Sequence, residues 1–329
     1  MQEFKDDNVI LSVCNLIVEY SSDEEAVHAV NGVSFDLHHK ATLGLVGETG
    51  AGKTTIAKSI LRILPEVSAK VKNGEIIFEG TDLLKITEKE MQKIRGNYIS
   101  MIFQDPMTAL NPTTKIGDQI SEAILLHEKI SAAEAEKRAV DMLQMVGIPG
   151  ERYADYPHQF SGGMKQRVVI AMALACKPKL LIADEPTTAL DVTIQAQVLD
   201  MMQRLKQELG TSVIMITHDL GIVAETCDYV AVVYSGEIVE YGTVEDIFDR
   251  TSHPYTEGLF NSLPSKAGNE KRLKPIKGMM PDPTSLPDGC KFRERCPYAD
   301  ELCIRGVPEY ANMGGKHIVK CFKRGAVNG

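Results

Sequence analysis

The chain lacks any apolar run long enough to cross a bilayer; a stretch such as Val168 to Cys176 falls far short of the ~18–20 residues required. Its first residues, MQEFKDDNVILSV, have no basic segment followed by an apolar one and no small-residue cleavage site, so the chain is expected to stay in the cytoplasm. An excess of positive charge is missing too. With 36 basic and 45 acidic side chains the net charge is -9, which argues against a mainly electrostatic attachment to nucleic acid or to an anionic membrane. There is no internal repeat, no low-complexity tract and no pair of cysteines at C-x2-C spacing.

What is present is a chain of 329 residues, 43% hydrophobic, long enough for one large domain with an appendage or for two domains. The charge is unevenly distributed. Residues 265–329 carry 13 basic and 7 acidic side chains, whereas residues 1–264 carry 23 and 38, which marks the tail as a separate compositional region. Of seven cysteines, Cys14, Cys176 and Cys227 sit in apolar segments as small hydrophobes, while Cys290, Cys296, Cys303 and Cys321 crowd into the basic tail. In a reducing compartment such clustering favours a metal over disulfides.

Strand patterns cover Ile10 to Glu19, Val33 to Leu37 and Thr42 to Val46, the last running into a glycine-rich loop and a helix from Lys53 to Ile63. Residues 74–84 read as an edge strand and turn, and residues 88–177 as mostly helical. Two buried strands, Leu180 to Ala183 and Val213 to Thr217, flank an amphipathic helix over Ile194 to Leu209. That alternation predicts a parallel sheet. Tyr229 to Tyr241 reads as a hairpin turning at Ser235-Gly236, and the patterning weakens beyond Arg250. From Ser265 on, recurrent proline and glycine predict an extended linker to a small knot of cysteines.

The loop Gly47-Glu48-Thr49-Gly50-Ala51-Gly52-Lys53-Thr54 has the pattern G-x-x-x-x-G-K-[ST] between a strand and a helix. Its glycines let backbone N–H groups converge on phosphate oxygens at the positive end of the helix dipole. Lys53 then reaches the β/γ-phosphates, the Thr54 hydroxyl coordinates Mg2+, and Gly50, Gly52 and Thr55 add backbone or hydroxyl contacts. The strand Leu180-Leu181-Ile182-Ala183 ends in Asp184-Glu185, two carboxylates at the carboxyl edge of a sheet. Asp184 suits Mg2+, and Glu185 is left to accept a proton from the attacking water. By itself such an acidic pair is more often a turn or a cap; beside a phosphate loop that reading reverses.

Phe160-Ser161-Gly162-Gly163-Met164-Lys165-Gln166-Arg167 resembles the LSGGQ signature of ABC transporters, with Phe and Met at the outer positions and the Ser-Gly-Gly centre intact. Over residues 8–250 the chain is similar to that family's nucleotide-binding domain. The resemblance implies an α/β fold: a RecA-like parallel sheet core, an antiparallel β subdomain and an α-helical subdomain at about residues 105–178 that meets membrane subunits beside the Q-loop. Domains at 1–250 and 251–329 follow. It further implies that Gln104, in Met101-Ile102-Phe103-Gln104, is the Q-loop glutamine sensing metal and water. Asp191 fits the D-loop, His218 the switch histidine at the γ-phosphate, and Tyr20 the aromatic on which adenine stacks. Taken singly, His218 or Tyr20 reads as an ordinary core or surface residue; the ordered set carries the resemblance. Two such domains sandwich two ATP molecules, each between one chain's phosphate loop and the other's Ser161-Gly162-Gly163.

The tail spacing, Cys290-x5-Cys296-x6-Cys303-x17-Cys321, leaves zinc and an iron-sulfur cluster both open, with His317 as a substitute ligand. Neighbouring Arg293, Arg295, Lys320 and Lys323 either offset a cluster's charge or form a solvated basic face. His253-Pro254-Tyr255-Thr256 and Cys290 to Pro297 resemble the C-terminal extension of ATPase subunits of dipeptide/oligopeptide importers. That resemblance implies a four-iron, four-sulfur cluster, a second ATPase subunit (a heterodimer in the cell, a homodimer possible in isolation), two transmembrane permease subunits and an external substrate-binding protein. It implies no nucleic acid partner. The ATPase would sit peripherally on the cytoplasmic face of the membrane and drive peptide uptake. Uptake of nickel or oligosaccharides is the alternative within the family. A soluble ABC ATPase of DNA repair or translation would usually bring a second cassette or a coiled-coil insertion, and neither is present.

Overall fold

Among the described residues the strands are, in chain order, β1 (Val9–Ser21), β2 (Ala26–His38), β3 (Thr42–Val46), β4 (Ala69–Phe78), β5 (Thr81–Asp82), β6 (Ile99–Ile102), β7 (Leu180–Asp184), β8 (Ser212–Thr217), β9 (Tyr229–Tyr234), β10 (Glu237–Thr243), β11 (Tyr310–Gly314) and β12 (His317–Lys320). The computed structural model describes residues 8–21, 25–188, 190–262 and 275–323, with the side chains of residues 106 and 107 left aside. Two compact units emerge, one formed by Met1–Leu37, Leu43–Leu84 and Thr217–Gly329, the other by His38–Thr42 and Lys85–Ile216.

In the first unit an antiparallel sheet runs in the order β2-β1-β4-β5. β1 buries Ile10, Leu11, Val13, Leu16 and Val18, a near-alternation broken where its register with β4 shifts between Cys14 and Ile17. Gly74 faces that bulge. A Cβ on it would stand 2.7 Å from Leu16 Cα and 2.8 Å from Asn15 O, so only glycine lets the strands approach there. Segment 74–84, expected as an edge strand and turn, contains the end of β4, an inner strand, and the two-residue β5 at the edge.

The unit's other strands follow the order β3-β9-β10-β12-β11. β3 is parallel to β9 and buried at all five positions, as a strand covered on both faces must be. β9 and β10 form the expected hairpin: Tyr234 opposes Glu237, and Ser235 and Gly236 take φ of 47° and 75°, the backbone of a type I′ turn. Beyond Arg250 the structure is more regular than the sequence suggested. A helix spans Pro254–Asn261, and β12 pairs antiparallel with β10 through Tyr241↔Ile318 and Glu240↔Val319. These strands were missed because each is four or five residues long and turns at Gly314-Gly315, with no periodicity to detect. Part of the expected linker, residues 265–274, lies outside the described residues.

In the second unit β6, β7 and β8 form a parallel array. Helices span Glu88–Ile94, Ile116–His127, Ala132–Met145, Gly162–Leu174 and Val192–Leu209. The first opens on a capping box, with Thr87 and Glu90 each bonding the other's backbone N–H. Residues 88–177, expected to be mostly helical, also contain the short strand β6, a run too short for its periodicity to distinguish strand from helix. Among the described residues no helix is long and apolar enough to cross a membrane.

Candidate functional site

In the first unit β3 delivers the chain into the glycine loop. Gly47 (φ 151°) and Gly52 (φ 104°) are required: a Cβ would stand 2.1 Å from Val233 O at the first and 2.4 Å from Ala29 O at the second. Gly52 also caps the helix Lys53–Ile60, whose first turn carries no acidic residue. Its uncompensated N–H groups and dipole make an anion site. Lys53 is buried at 7% exposure and curls back over the loop, donating from Nζ to Gly47 O (2.7 Å) and Glu48 O (2.9 Å). Thr49 and Gly50 are exposed, Ala51 is buried, and Thr54 and Thr55 are half-buried at the helix start. Tyr20, at the end of β1, lies beside that turn, its hydroxyl 3.3 Å from Thr55 Oγ1. His218 is exposed just after β8, while its neighbour Asp219 is structural, capping the helix Leu220–Thr226 through Gly221 N and Ile222 N.

In the second unit Asp184 ends β7, buried to 3% exposure. Glu185 follows with φ 48°, a left-handed conformation costly for a side chain with a Cβ and found where surroundings over-determine it. Its Oε2 accepts from Gln104 Nε2 and from Thr188 Oγ1, both at 2.9 Å. Gln104 and Glu185 thus meet; Thr188 had no distinguishing signal in the sequence. Ser161 caps the helix Gly162–Leu174, accepting from Met164 N. Asp191 caps Val192–Leu209, accepting from Ile194 N at 3.0 Å. A Cβ on Gly163 would meet Ile194 Cγ2 at 2.6 Å, whereas Gly162 faces open space. Ser161, Gly162, Gly163 and Asp191 line one cavity of about 460 Å3, so the residues matched to the signature and the D-loop share a wall.

The tail of the first unit brings Cys290 and Cys303 together: Cys290 N donates to Cys303 O at 3.0 Å. Cys303 is buried, the other three tail cysteines half-buried, and none of the four is in a disulfide among the described residues. Burial pushes the Cys290 thiol up to about 11, and the charges of Cys303, Cys321 and Cys296 push the same way. Cys296 is raised by burial, again with contributions from Cys321 and Cys303. Among the described residues no group of three or more His, Cys, Asp or Glu side chains is arranged to hold a metal ion. His317 is committed elsewhere, its Nε2 2.9 Å from the fully buried Glu240.

Several of the tail's basic residues are held in ion pairs, although Lys323 is still 40% exposed. Lys291 and Lys320 both bind Glu237 (3.1 and 3.0 Å), Lys323 pairs with Asp300, and Arg295 forms an ion pair with Glu48. Burial opposes the Arg295 charge, but its bonds to Glu48 and Tyr234 outweigh that and raise its pKa.

A parallel sheet opening into a glycine loop and lysine, with a strand ending in paired acids and a Ser-Gly-Gly helix start, defines an ATPase of the ABC type. The family pattern described as ABC transporter matches residues 30–188, and that described as Oligopeptide/dipeptide transporter, C-terminal region, matches residues 239–303. The chain is 52% identical to the Dipeptide transport ATP-binding protein DppD of Bacillus subtilis (strain 168), covering 95% of this chain and 94% of that one. It is 51% identical to the Oligopeptide transport ATP-binding protein OppD of the same organism, covering 95% and 88%. Among solved structures, the dimeric post-hydrolysis ATP-binding cassette MJ0796 bound to ADP and Pi aligns with a TM-score of 0.64 at 26% identity, over 71% of this chain and 98% of that one. The chain belongs to the oligopeptide/dipeptide transporter family of ABC ATP-binding subunits.

Proposed function

We propose that this ATPase powers uptake of dipeptides or oligopeptides through partner membrane subunits at the cytoplasmic face of the membrane. The observation that carries the reading is the joint match of the cassette and of the oligopeptide/dipeptide C-terminal region in one chain. Expressed with the permease subunits encoded beside it and their binding protein, the chain should support ATP-dependent uptake of a labelled dipeptide. Uptake of nickel or an oligosaccharide in place of peptide would overturn the substrate assignment.

In the catalytic reading, N–H groups from Gly50 to Thr54 and the Lys53 ammonium hold the β/γ-phosphates. Thr54, Asp184 and Gln104 would supply oxygen ligands to Mg2+, a reading supported by a buried carboxylate ending β7. When bound, the ion neutralises phosphate charge. Glu185 accepts the proton of the attacking water, with Gln104 and Thr188 fixing its carboxylate, and His218 donates to the γ-phosphate. Tyr20 stacks on adenine. Ser161, Gly162 and Gly163 close on the phosphate held by a second ATPase subunit, and Asp191 lies at that junction. A heterodimer fits the cell, a homodimer the isolated chain.

A cavity of about 580 Å3 beside Gln104, lined by Met101, Phe103, Asp105 and His127 among others, suits the permease contact, with Phe103 45% exposed. The nucleotide-binding domain would end near residue 250 and the extension cover 251–329.

For the tail, Cys290, Cys296, Cys303 and Cys321 would hold a four-iron cluster stapling a segment too proline-rich to fold alone. One observation supports an anionic group there: Arg293 Nη1 is buried with no hydrogen-bond partner. Zinc is the alternative.

A further inference from the structure

Glu48, the second residue of the phosphate loop, has no part in the phosphate scheme, yet every polar group it carries is engaged. Its N–H donates to Tyr255 Oη at 3.0 Å and its carbonyl accepts from Lys53 Nζ at 2.9 Å. Its carboxylate takes a two-pronged contact from Arg295, Nη1 to Oε2 and Nη2 to Oε1, both at 2.9 Å. Arg295 stands 247 positions away, next to Cys296, with its side chain only 6% exposed. Its Nε donates to Lys277 O at 3.1 Å, and Tyr234 Oη lies 3.4 Å from Nη1. Behind them Tyr234, Tyr255 and Phe292 form a wall of rings with centroids 4.6 to 5.4 Å apart. A buried guanidinium fork matched to both oxygens of a carboxylate is a geometric constraint, unlike a solvent-screened surface pair.

Peptide planarity carries the constraint forward. The Gly47 carbonyl and the Glu48 N–H belong to one trans peptide and point in opposite directions. One faces Lys53 and the other Tyr255. The next peptide offers the Glu48 carbonyl to the same ammonium, and its residue's side chain is held by Arg295. We propose that Arg295 is a positioning residue for nucleotide binding: through Glu48 it fixes the carbonyls on which Lys53 rests, so the cysteine-rich tail tunes the loop's affinity for ATP. Without that hold the loop samples other orientations, and ordering it must be offset when the phosphates bind.

The test uses the full chain, a fluorescent ATP analogue for affinity and steady-state hydrolysis for rate. Arg295→Gln should weaken analogue binding and raise KM for ATP about tenfold, with kcat within about twofold, the pattern of lost ground-state binding. Glu48→Gln should act alike, and Arg295→Lys should recover part of the loss because it keeps the charge without the fork. The double variant Arg295→Gln/Glu48→Gln should bind no more weakly than the worse single, since the pair acts as a unit. Unchanged affinity in Arg295→Gln, even with a lowered Tm, would overturn the proposal. So would losses that multiply in the double variant, or a fall in kcat with KM unmoved.

Discussion

Gln104 and Glu185, 81 residues apart in sequence, share a hydrogen bond of 2.9 Å, Nε2 donating to the carboxylate that Thr188 also holds. Both donors hold that carboxylate in a fixed orientation just beyond the end of β7, as a general base requires. Glu185→Gln should therefore lower ATP hydrolysis by at least about a hundredfold, the scale of a lost general base, while analogue binding persists. Gln104→Ala should cost less. Steady-state phosphate release with a parallel binding titration separates the two quantities, and undiminished hydrolysis in Glu185→Gln would exclude it as the base.

Glu240 is fully buried and accepts from Ser252 N (2.7 Å), His253 N (3.0 Å) and His317 Nε2 (2.9 Å), tying β10 to the entry of the Pro254–Asn261 helix and to β12. Glu240→Ala strands all three donors. Chemical denaturation should register a loss of about 3–5 kcal/mol, as for other buried pairs broken on one side.

His253 should make the fold acid-sensitive. Burial drives its imidazole down to about 4, with Glu240 opposing the shift, and its Nδ1 accepts from Tyr255 N. In the unfolded chain the group titrates near 6.5, so between about pH 6.5 and 4 the unfolded state holds the extra proton. Stability is fully present above that window and is lost as pH falls through it, by about 3 kcal/mol in all. Denaturant midpoints at pH 7.5 and 5 should differ in the parent and converge in His253→Asn.

The tail cysteines yield a compositional prediction. Protein purified without oxygen should be brown and carry about four iron and four sulfide per chain, and Cys303→Ser should lose both. Colourless protein containing one zinc would decide for the other ligand.

Legibility followed the reach of the signal. β3 emerged over Thr42–Val46 as expected, because an apolar run ending in a glycine loop is unambiguous, and the Ser235-Gly236 turn specified its hairpin. β6 was hidden because a run of four residues, three of them apolar, fits helix and strand equally. The motif residues announced themselves through fixed local spacing. Glu48 and Arg295 did not: their partnership spans 247 positions, and nothing local distinguishes a buried arginine fork from a solvated one. The same distance effect hid the lysines on Glu237, which local composition made look like open surface.

β12 lies along the outer side of β10, and its short neighbour β11 comes next in order. Cutting the chain near residue 250 would strip that cover and leave the row of amides and carbonyls on β10 as a template for foreign strands. Intermolecular stacking, rather than mere loss of a tail, is then the expected fate of the shortened protein, whatever the cysteines hold.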